Sequence, residues 1–414
     1  MSNITLSAGQ QEAMDSFVQF ILNPDETMFV LQGYAGTGKS TLVKHLIDTV
    51  PSILKSLNFI NPDQINYSIE VSATTNKAAE VLELMLGTPV STIHSLLGLT
   101  VHNDVVNHKT SLIDRQKKEL YKTLLFIDEA SFIDKELLRF ILDKTRIKCK
   151  VVFIGDPAQL TPVKCSVAPI FLAGFPTASL TEVLRQVSGN PIIDLATRFR
   201  NTVNTGEFFN FKPDGIAIKH LDSEAFQAEI LQEFLDPTWT HNRSKILGWT
   251  NKCVQWYNKL LREKDKGSAH VDKGDYCTVN TYISGNRWSF GTDQVVYISN
   301  VIRDTEIFGI KGRDIEINNG PVVFMPNDWP TAKKHISLWR QQGEYTKVMA
   351  SEKWIDLRST YACTVNKSQG STYDKVYIDL SDISRCNNAN QIARMLYVAV
   401  SRARSNVVFT GDFV

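Results

Sequence analysis

Gly33, Gly38, Lys39 and Ser40 meet the pattern G-x-x-x-x-G-K-[ST] within 33-GYAGTGKST-41. Glycines let a loop backbone wrap a polyphosphate with its N–H groups turned inward, and Ala35, Gly36, Thr37 and Thr41 complete that cradle. Lys39 is suited to the β- and γ-phosphates, and the Ser40 hydroxyl to Mg2+. A second signal is Asp128-Glu129, which ends the apolar run 124-LLFI-127. Asp128 is the candidate to hold the Mg2+ through water. Glu129 is the better candidate to polarise the attacking water, since one carboxylate does not easily do both. A third is Gln159, after 151-VVFIG-155, whose neutral amide can sense the γ-phosphate without competing for the metal; a plain loop glutamine is the alternative. A Gly-Lys-Ser loop with an apolar strand ending in Asp-Glu signals nucleotide hydrolysis, not binding alone. A cleft completed by a facing domain needs arginines for the charge on the transferring phosphoryl group, and Arg185 and Arg402 are the candidates. Arg404 either joins them or anchors its helix through a carboxylate.

The elements that position these residues are legible from pattern. Phe29-Val30-Leu31 reads as a strand, and Leu42, Leu46, Ile47 and Val50 recur at helical spacing after the loop. Asp156-Pro157 makes a sharp strand exit. No second nucleotide loop follows, yet strands recur at 245–250, 375–380 and 406–411, with a helix over 391–404. From about 257 to 350 the composition shifts to short strand-like runs and turns such as Asn318-Asn319-Gly320, which predicts an inserted β domain. A smaller insertion is expected near 97–119. The stretch Lys109 to Lys122 holds five cations (Lys109, Arg115, Lys117, Lys118, Lys122) against Asp114 and Glu119. It reads equally as a phosphate-touching surface and as a solvated helix face.

Composition bounds the classes. The chain has 414 residues, 45 Lys+Arg and 44 Asp+Glu, so a uniformly basic nucleic-acid coat is excluded while a locally basic groove is not. A 43% hydrophobic fraction supports sizeable cores, and 21% charged residues is low for a disordered chain. Six cysteines without a close pair suggest neither a zinc knuckle nor a disulfide scaffold and fit a reducing compartment. No apolar run approaches the roughly 18 residues of a membrane span, no signal-peptide pattern opens the chain, and the triplet Asn3-Ile4-Thr5 carries no weight in an intracellular protein.

In order, these segments resemble the superfamily 1 DNA helicases of the 5′-to-3′ class, the Dda-like, RecD-like and Pif-like group, over nearly the whole chain. The group's glutamine motif is matched by 6-LSAGQQEA-13, motif Ia by 73-ATTNKAA-79 and motif Ib by 91-STIHSLLG-98. Motifs II and III are matched by 127-IDEAS-131 and 155-GDPAQLTPV-163, and motif IV resembles 180-LTEVLRQ-186. Motifs IVa, V and VI resemble 247-LGWTNKCV-254, 364-TVNKSQGST-372 and 396-LYVAVSRAR-404. Asn366 departs from the His that many members carry in motif V.

The resemblance implies an α/β fold: two RecA-like P-loop NTPase domains with a small pin insertion and an inserted SH3-like β domain. The expected boundaries are 1–96 and 120–175 for the first RecA-like domain, 97–119 for the pin, 176–256 and 353–414 for the second, and 257–352 for the SH3-like insertion. It implies that Gln10 reads the adenine edge, that Gly370 joins the nucleotide-binding residues, and that Arg185 and Arg402 are arginine fingers. It implies a grip on single-stranded DNA by Thr75, Asn76, Lys77, Thr92 and His94 on one domain, and by Thr364, Asn366, Lys367, Ser368 and Thr372 on the other, with Asn251 nearby. His94 as a satisfied core histidine is the alternative reading. Which aromatics of 249-WTNKCVQWY-257 stack on bases and which are core stays open.

The implied activity is ATP- and Mg2+-dependent 5′-to-3′ translocation with duplex unwinding, in DNA replication, recombination or repair. The implied partners are single-stranded and forked DNA and a single-stranded-DNA-binding protein. The implied setting is a monomer, not membrane-bound, in a cytoplasm (the host's, if the chain resembles a compact phage accessory helicase in source as well). Two other readings stand beside it: a nucleotide-switched binding module, and a DNA-stimulated translocase that strips proteins but unwinds poorly.

Overall fold

The computed structural model describes residues 6–60, 66–104, 109–114, 116–162, 165, 167–182, 189–268, 270–285 and 287–412. It divides into two units, Met1–Phe209 with Asn388–Ser401, and Asn210–Asn387 with Arg402–Val414.

In the first unit, α1 (Ala8–Leu22) starts at a capping box in which Ser7 and Gln10 exchange side-chain and backbone bonds. β1 (Met28–Gly33), the nucleotide loop and α2 (Lys39–Ile60) follow. Then come β2 (Ser68–Ala73), α3 (Asn76–Leu86), β3 (Ser91–Thr92), α4 (Ile93–Leu96) and an antiparallel hairpin of β4 (Leu99–Asp104) and β5 (Lys109–Asp114). β6 (Thr123–Asp128), α5 (Lys135–Lys144), β7 (Lys150–Gly155), β8 (Thr177–Leu180) and α6 (Pro191–Thr205) complete the run. The six-stranded sheet has the order β3-β2-β6-β7-β1-β8 and is parallel throughout.

Its central strands are buried on both faces, as a parallel sheet flanked by helices requires. Successive side chains alternate between two cores. Phe29, Leu31, Leu124, Phe126, Val152 and Ile154 meet α1 and α2, whereas Val30, Leu125, Ile127, Val151 and Phe153 meet α4 and α5. Lys150 ties α1 to this sheet: its buried ammonium donates to the carbonyl of Phe20 in the helix's last turn and to those of Asn23 and Glu26 beyond it.

The second unit begins with β9 (Ile218–Leu221), α7 (Ser223–Phe234), β10 (Ser244–Gly248) and α8 (Asn251–Lys266). A β-rich insertion follows: β11 (Tyr276–Val279), β12 (Ile283–Ser284), β13 (Ser289–Phe290), β14 (Val295–Ile307), β15 (Ile310–Ile317) and β16 (Val322–Pro326). It continues through α9 (Trp329–Gln341), α10 (Tyr345–Ser351) and β17 (Leu357–Ser359). The turn between β15 and β16 places Asn318 and Asn319 both at φ 53°, the left-handed pair a tight hairpin demands. Last come β18 (Ala362–Thr364), α11 (Val365–Ser368), β19 (Tyr373–Asp379) and α12 (Leu380–Ile383), then α13 (Ala389–Ser401), which packs on α6 in the first unit, and β20 (Ala403–Thr410). The second parallel sheet is ordered β18-β10-β19-β20-β9, and the insertion's main sheet, antiparallel where its strands pair, is ordered β16-β15-β14-β11-β17.

Several boundaries differ from expectation. β8 and α6 belong to the first unit, because β8 pairs with β1, so the division at 175/176 moves to Phe209. Residue 257 falls inside α8, and β17 pairs with β11, so the insertion lies between Lys266 and Ser359 rather than over 257–352. It is not wholly β: α9 and α10 close a small core of Phe324, Trp339, Val348 and Trp354. Lys109 opens a strand, which sets aside a helix face there. The hairpin's base is pinned where buried Lys144 pairs with Asp114 at 2.8 Å. Arg115 lies outside the described residues, as does the Asn3-Ile4-Thr5 triplet.

Candidate functional site

Parallel strands deliver their carboxyl ends to one edge, and register lines the chemistry up along it. Thr92 is opposite Ala73, Ala73 opposite Asp128, Ile127 opposite Phe153, Gly155 opposite Gln32, and Gly33 opposite Leu180. The residues leaving these strands therefore follow one another across the edge: Thr92, then Thr74 and Thr75, then Asp128 and Glu129, then Asp156, then the nucleotide loop.

Gly33 ends β1 because a Cβ there would lie 2.8 Å from Thr37 Oγ1 and 2.9 Å from Leu180 Cβ. Gly36 and Gly38 sit at φ 83° and 77°, which side chains disfavour. Lys39 Nζ donates to the carbonyls of Gly33 (2.6 Å) and Tyr34 (2.8 Å), and the buried Thr37 hydroxyl donates to Tyr34 O at 2.9 Å. The Ala35 N–H donates to the Tyr397 hydroxyl at 2.8 Å. Ser40 and Thr41 are exposed in the first turn of α2, a helix end with unpaired donors. Gln10 is buried, and its amide donates to Gly38 O at 3.4 Å, so it touches the loop as well as capping α1.

Burial pushes the Asp128 carboxyl up, against the pull of the Glu129 N–H on Oδ1 (2.8 Å) and of the Lys39 charge. Glu129 has a left-handed backbone, φ 53° and ψ 42°, a strained position for a residue with a side chain. Thr74 braces it: its hydroxyl donates to Glu129 O at 2.8 Å and its N–H to Asp128 O at 3.2 Å. Gln159 is buried, its carbonyl held by Arg394 at 2.6 Å, and Asp156 Oδ2 accepts from Tyr397 at 2.6 Å. Thr74, Arg394 and Tyr397 were not singled out from sequence. Tyr397 lies within the motif VI segment, and its phenol inside the apolar run 395-MLYVAV-400 is the signal available there.

The threonines expected to grip a strand share one device. Thr75 caps α3 and Thr92 caps α4 in the first unit, while Thr364 caps α11 in the second, each side chain accepting the N–H three residues on. Thr250 does the same for α8, and Asp382 fixes that turn by accepting from Trp249 N, Thr250 N and the Thr250 hydroxyl. Asn76, Asn251 and Asn366 are exposed beside these caps, and Lys77 makes a surface pair with Glu80. His94 is half-buried, and burial lowers its pKa against the pull of Asp134, so it is neutral at pH 7.

In the second unit Lys367 pairs with Asp293 at 2.6 Å and donates to Asn280 Oδ1 at 3.2 Å, both on the β insertion. Ser368 is fully buried, and its hydroxyl donates to Val365 O at 2.7 Å. Thr372 accepts from Arg404 at 3.2 Å, and Arg404 also pairs with Asp374 at 3.1 Å, so it anchors through a carboxylate but from β20 rather than from a helix. Arg402 is buried and donates to Ser371 O at 3.2 Å, one residue beyond Gly370 at φ 76°. Arg185 lies outside the described residues. Among the aromatics of 249–257, Tyr257 is core, donating to Asp379 at 2.9 Å, whereas Trp256 is 54% exposed.

Two family models match: an AAA domain over residues 5–219 and a UvrD-like helicase C-terminal domain over 359–410. The chain is 27% identical over 272 residues to the ATP-dependent DNA helicase dda of Enterobacteria phage T4, covering 63% of this chain and 57% of that protein. It thus spans little more than half the length of that relative. It is 24% identical over 435 residues to the ATP-dependent DNA helicase Pif1 of Bdellovibrio bacteriovorus, covering 97% and 86%. A Pif1 helicase from Bacteroides, solved with ADP-AlF3 and ssDNA, has a similar fold, with TM-score 0.52, 17% identity, and 100% and 94% of the two chains covered.

Proposed function

The chain belongs to the superfamily 1 helicases related to Dda, RecD and Pif1, and from that membership we propose that it is an ATP-driven motor moving 5′-to-3′ on single-stranded DNA and unwinding duplexes. The observation that carries this reading is the shared edge of the first sheet. There the nucleotide loop and Asp128-Glu129 lie in line with the capped helix starts at Thr75 and Thr92. The Thr74 hydrogen bond to Glu129 O joins the loop that grips DNA to the loop that activates water.

The loop N–H groups and the start of α2 cradle the phosphates. Lys39 leaves its carbonyl partners for the β- and γ-phosphates, Glu129 orients the attacking water, and Gln159 reports the γ-phosphate. Arg185 and Arg402 supply charge to the transferring group. The residues present fit Mg2+: the Ser40 hydroxyl and the Asp128 carboxylate are hard oxygen donors. Among the described residues no cluster of three or more His, Cys, Asp or Glu could bind the ion alone, so phosphate and water complete its shell. Bound there, Mg2+ neutralises charge on the β- and γ-oxygens.

Phosphate contacts at the threonine-capped turns make the grip independent of sequence. In this reading β4–β5 is the pin that parts a fork, and the sheet containing β11 and β14–β17 is the SH3-like domain. Gln10 reads adenine, Gly370 joins the nucleotide set, and exposed Trp256 is the aromatic offered to bases. No helix among the described residues is long and apolar enough to cross a membrane. A monomer in the cytoplasm, working on forks beside a single-stranded-DNA-binding protein, completes the proposal.

The test is ATP turnover with and without single-stranded DNA. Wild type is expected to be DNA-stimulated. Glu129→Gln is expected to bind ATP normally and to lose turnover by about 100-fold or more. Near-normal turnover in that variant removes Glu129 from the role of base.

A further inference from the structure

Tyr397 is 2% exposed on α13, and its hydroxyl is used twice. It accepts the Ala35 N–H at 2.8 Å and donates to Asp156 Oδ2 at 2.6 Å. Ala35 belongs to the nucleotide loop, and Asp156 opens the loop that carries Gln159. One turn earlier on the same helix face, Arg394 donates to Pro157 O at 2.7 Å and to Gln159 O at 2.6 Å. On the other side of the loop, the Arg200 guanidinium from α6 lies 4.1 Å from the Tyr34 ring.

The peptide between Tyr34 and Ala35 is the centre of this arrangement. A trans peptide is planar, with its N–H and C=O pointing to opposite sides. Its N–H is held by Tyr397, and its C=O accepts from Lys39 Nζ at 2.8 Å and from the Thr37 hydroxyl at 2.9 Å. Fixing the N–H on one side therefore fixes the carbonyl that seats Lys39 on the other. The same hydroxyl anchors Asp156, whose Oδ1 accepts from Ala158 N at 2.9 Å.

We infer that Tyr397 is a positioning residue for ATP: through the Tyr34–Ala35 peptide plane it sets Lys39, and through Asp156 it keeps the Gln159 loop in register with the nucleotide loop. A phenylalanine would fill the same space but leave the Ala35 N–H without its acceptor and let the peptide rotate. This rests on the reading of 33–41 as an ATP loop, and the experiment separates the two.

In Tyr397→Phe, amide exchange in nucleotide-free protein should accelerate in peptides covering 33–41. The Mg·ATP dissociation constant should rise about 3–10-fold, the scale of one lost hydrogen bond. In a Lys39→Met background the same substitution should change ATP affinity little, because its effect runs through Lys39. Asp156→Asn, which keeps the packing, should accelerate exchange in the same peptides and covers the case in which Tyr397→Phe does not fold. Unchanged exchange and ATP affinity in Tyr397→Phe, with any loss confined to melting temperature, overturns the inference. So does full additivity with Lys39→Met. Wild type that fails to bind ATP refutes the functional reading instead, while the exchange result still reports on the Tyr397 contact.

Discussion

Glu129 shows how a single residue departs from what local preference favours. Its left-handed backbone costs on the order of 1 kcal/mol or more, and the Thr74 bond to its carbonyl helps to hold it. Glu129 is legible from the apolar strand before it, whereas Thr74 is not, because a threonine after a strand has no pattern of its own. Lys150 was missed for a related reason: a lysine opening an apolar strand reads as a surface flank. In the structure its ammonium is buried under three carbonyls, and burial lowers its pKa from 10.5 to about 8, with Glu26 pulling it back up. Below about pH 8 both folded and unfolded chains hold this proton. Between there and 10.5 the unfolded chain holds it more tightly, so stability rises with pH across that window. Urea unfolding at pH 7.5, 8.5 and 9.5 should show that rise in wild type and a smaller one in Lys150→Met. Parallel pH curves for the two proteins would dismiss the buried ammonium as its source.

Strands were the most legible elements, because those buried on both faces are continuous apolar runs. β6, β7, β10, β19 and β20 lie where hydrophobic runs place them. Less legible was which sheet a strand joins. β8 stands close to the second half in sequence yet pairs with β1, and only long-range register decides that. The motif helix α13 likewise packs on α6 in the first unit, and its Tyr397 and Arg394 bond Asp156 and Pro157, partners that no spacing rule predicts. The short turn at α11 illustrates competition between elements. Lys367, expected to face DNA, is paired with Asp293 on the insertion. In the proposed grip a phosphate takes the place of that carboxylate. Asp293→Asn should therefore tighten single-stranded DNA binding, while Lys367→Ala should weaken it and flatten the dependence of log K on log salt by about 0.7. A salt slope unchanged by Lys367→Ala would take this lysine out of the phosphate grip.

At the scale of the whole molecule, the chain passes from one unit to the other after Phe209, Asn387 and Ser401. Arg402 therefore follows directly on the helix that holds the nucleotide loop and the Gln159 loop. Direction of travel has no local basis, since the same phosphate loop serves motors of either polarity. Only the moving enzyme reports it. The most direct measurement is ATP-dependent strand displacement from two otherwise identical duplexes, one with only a 5′ single-stranded tail and one with only a 3′ tail. Displacement from the 5′-tailed duplex is expected, with the 3′-tailed duplex left largely intact. Displacement from the 3′-tailed duplex alone, or from neither, would contradict it.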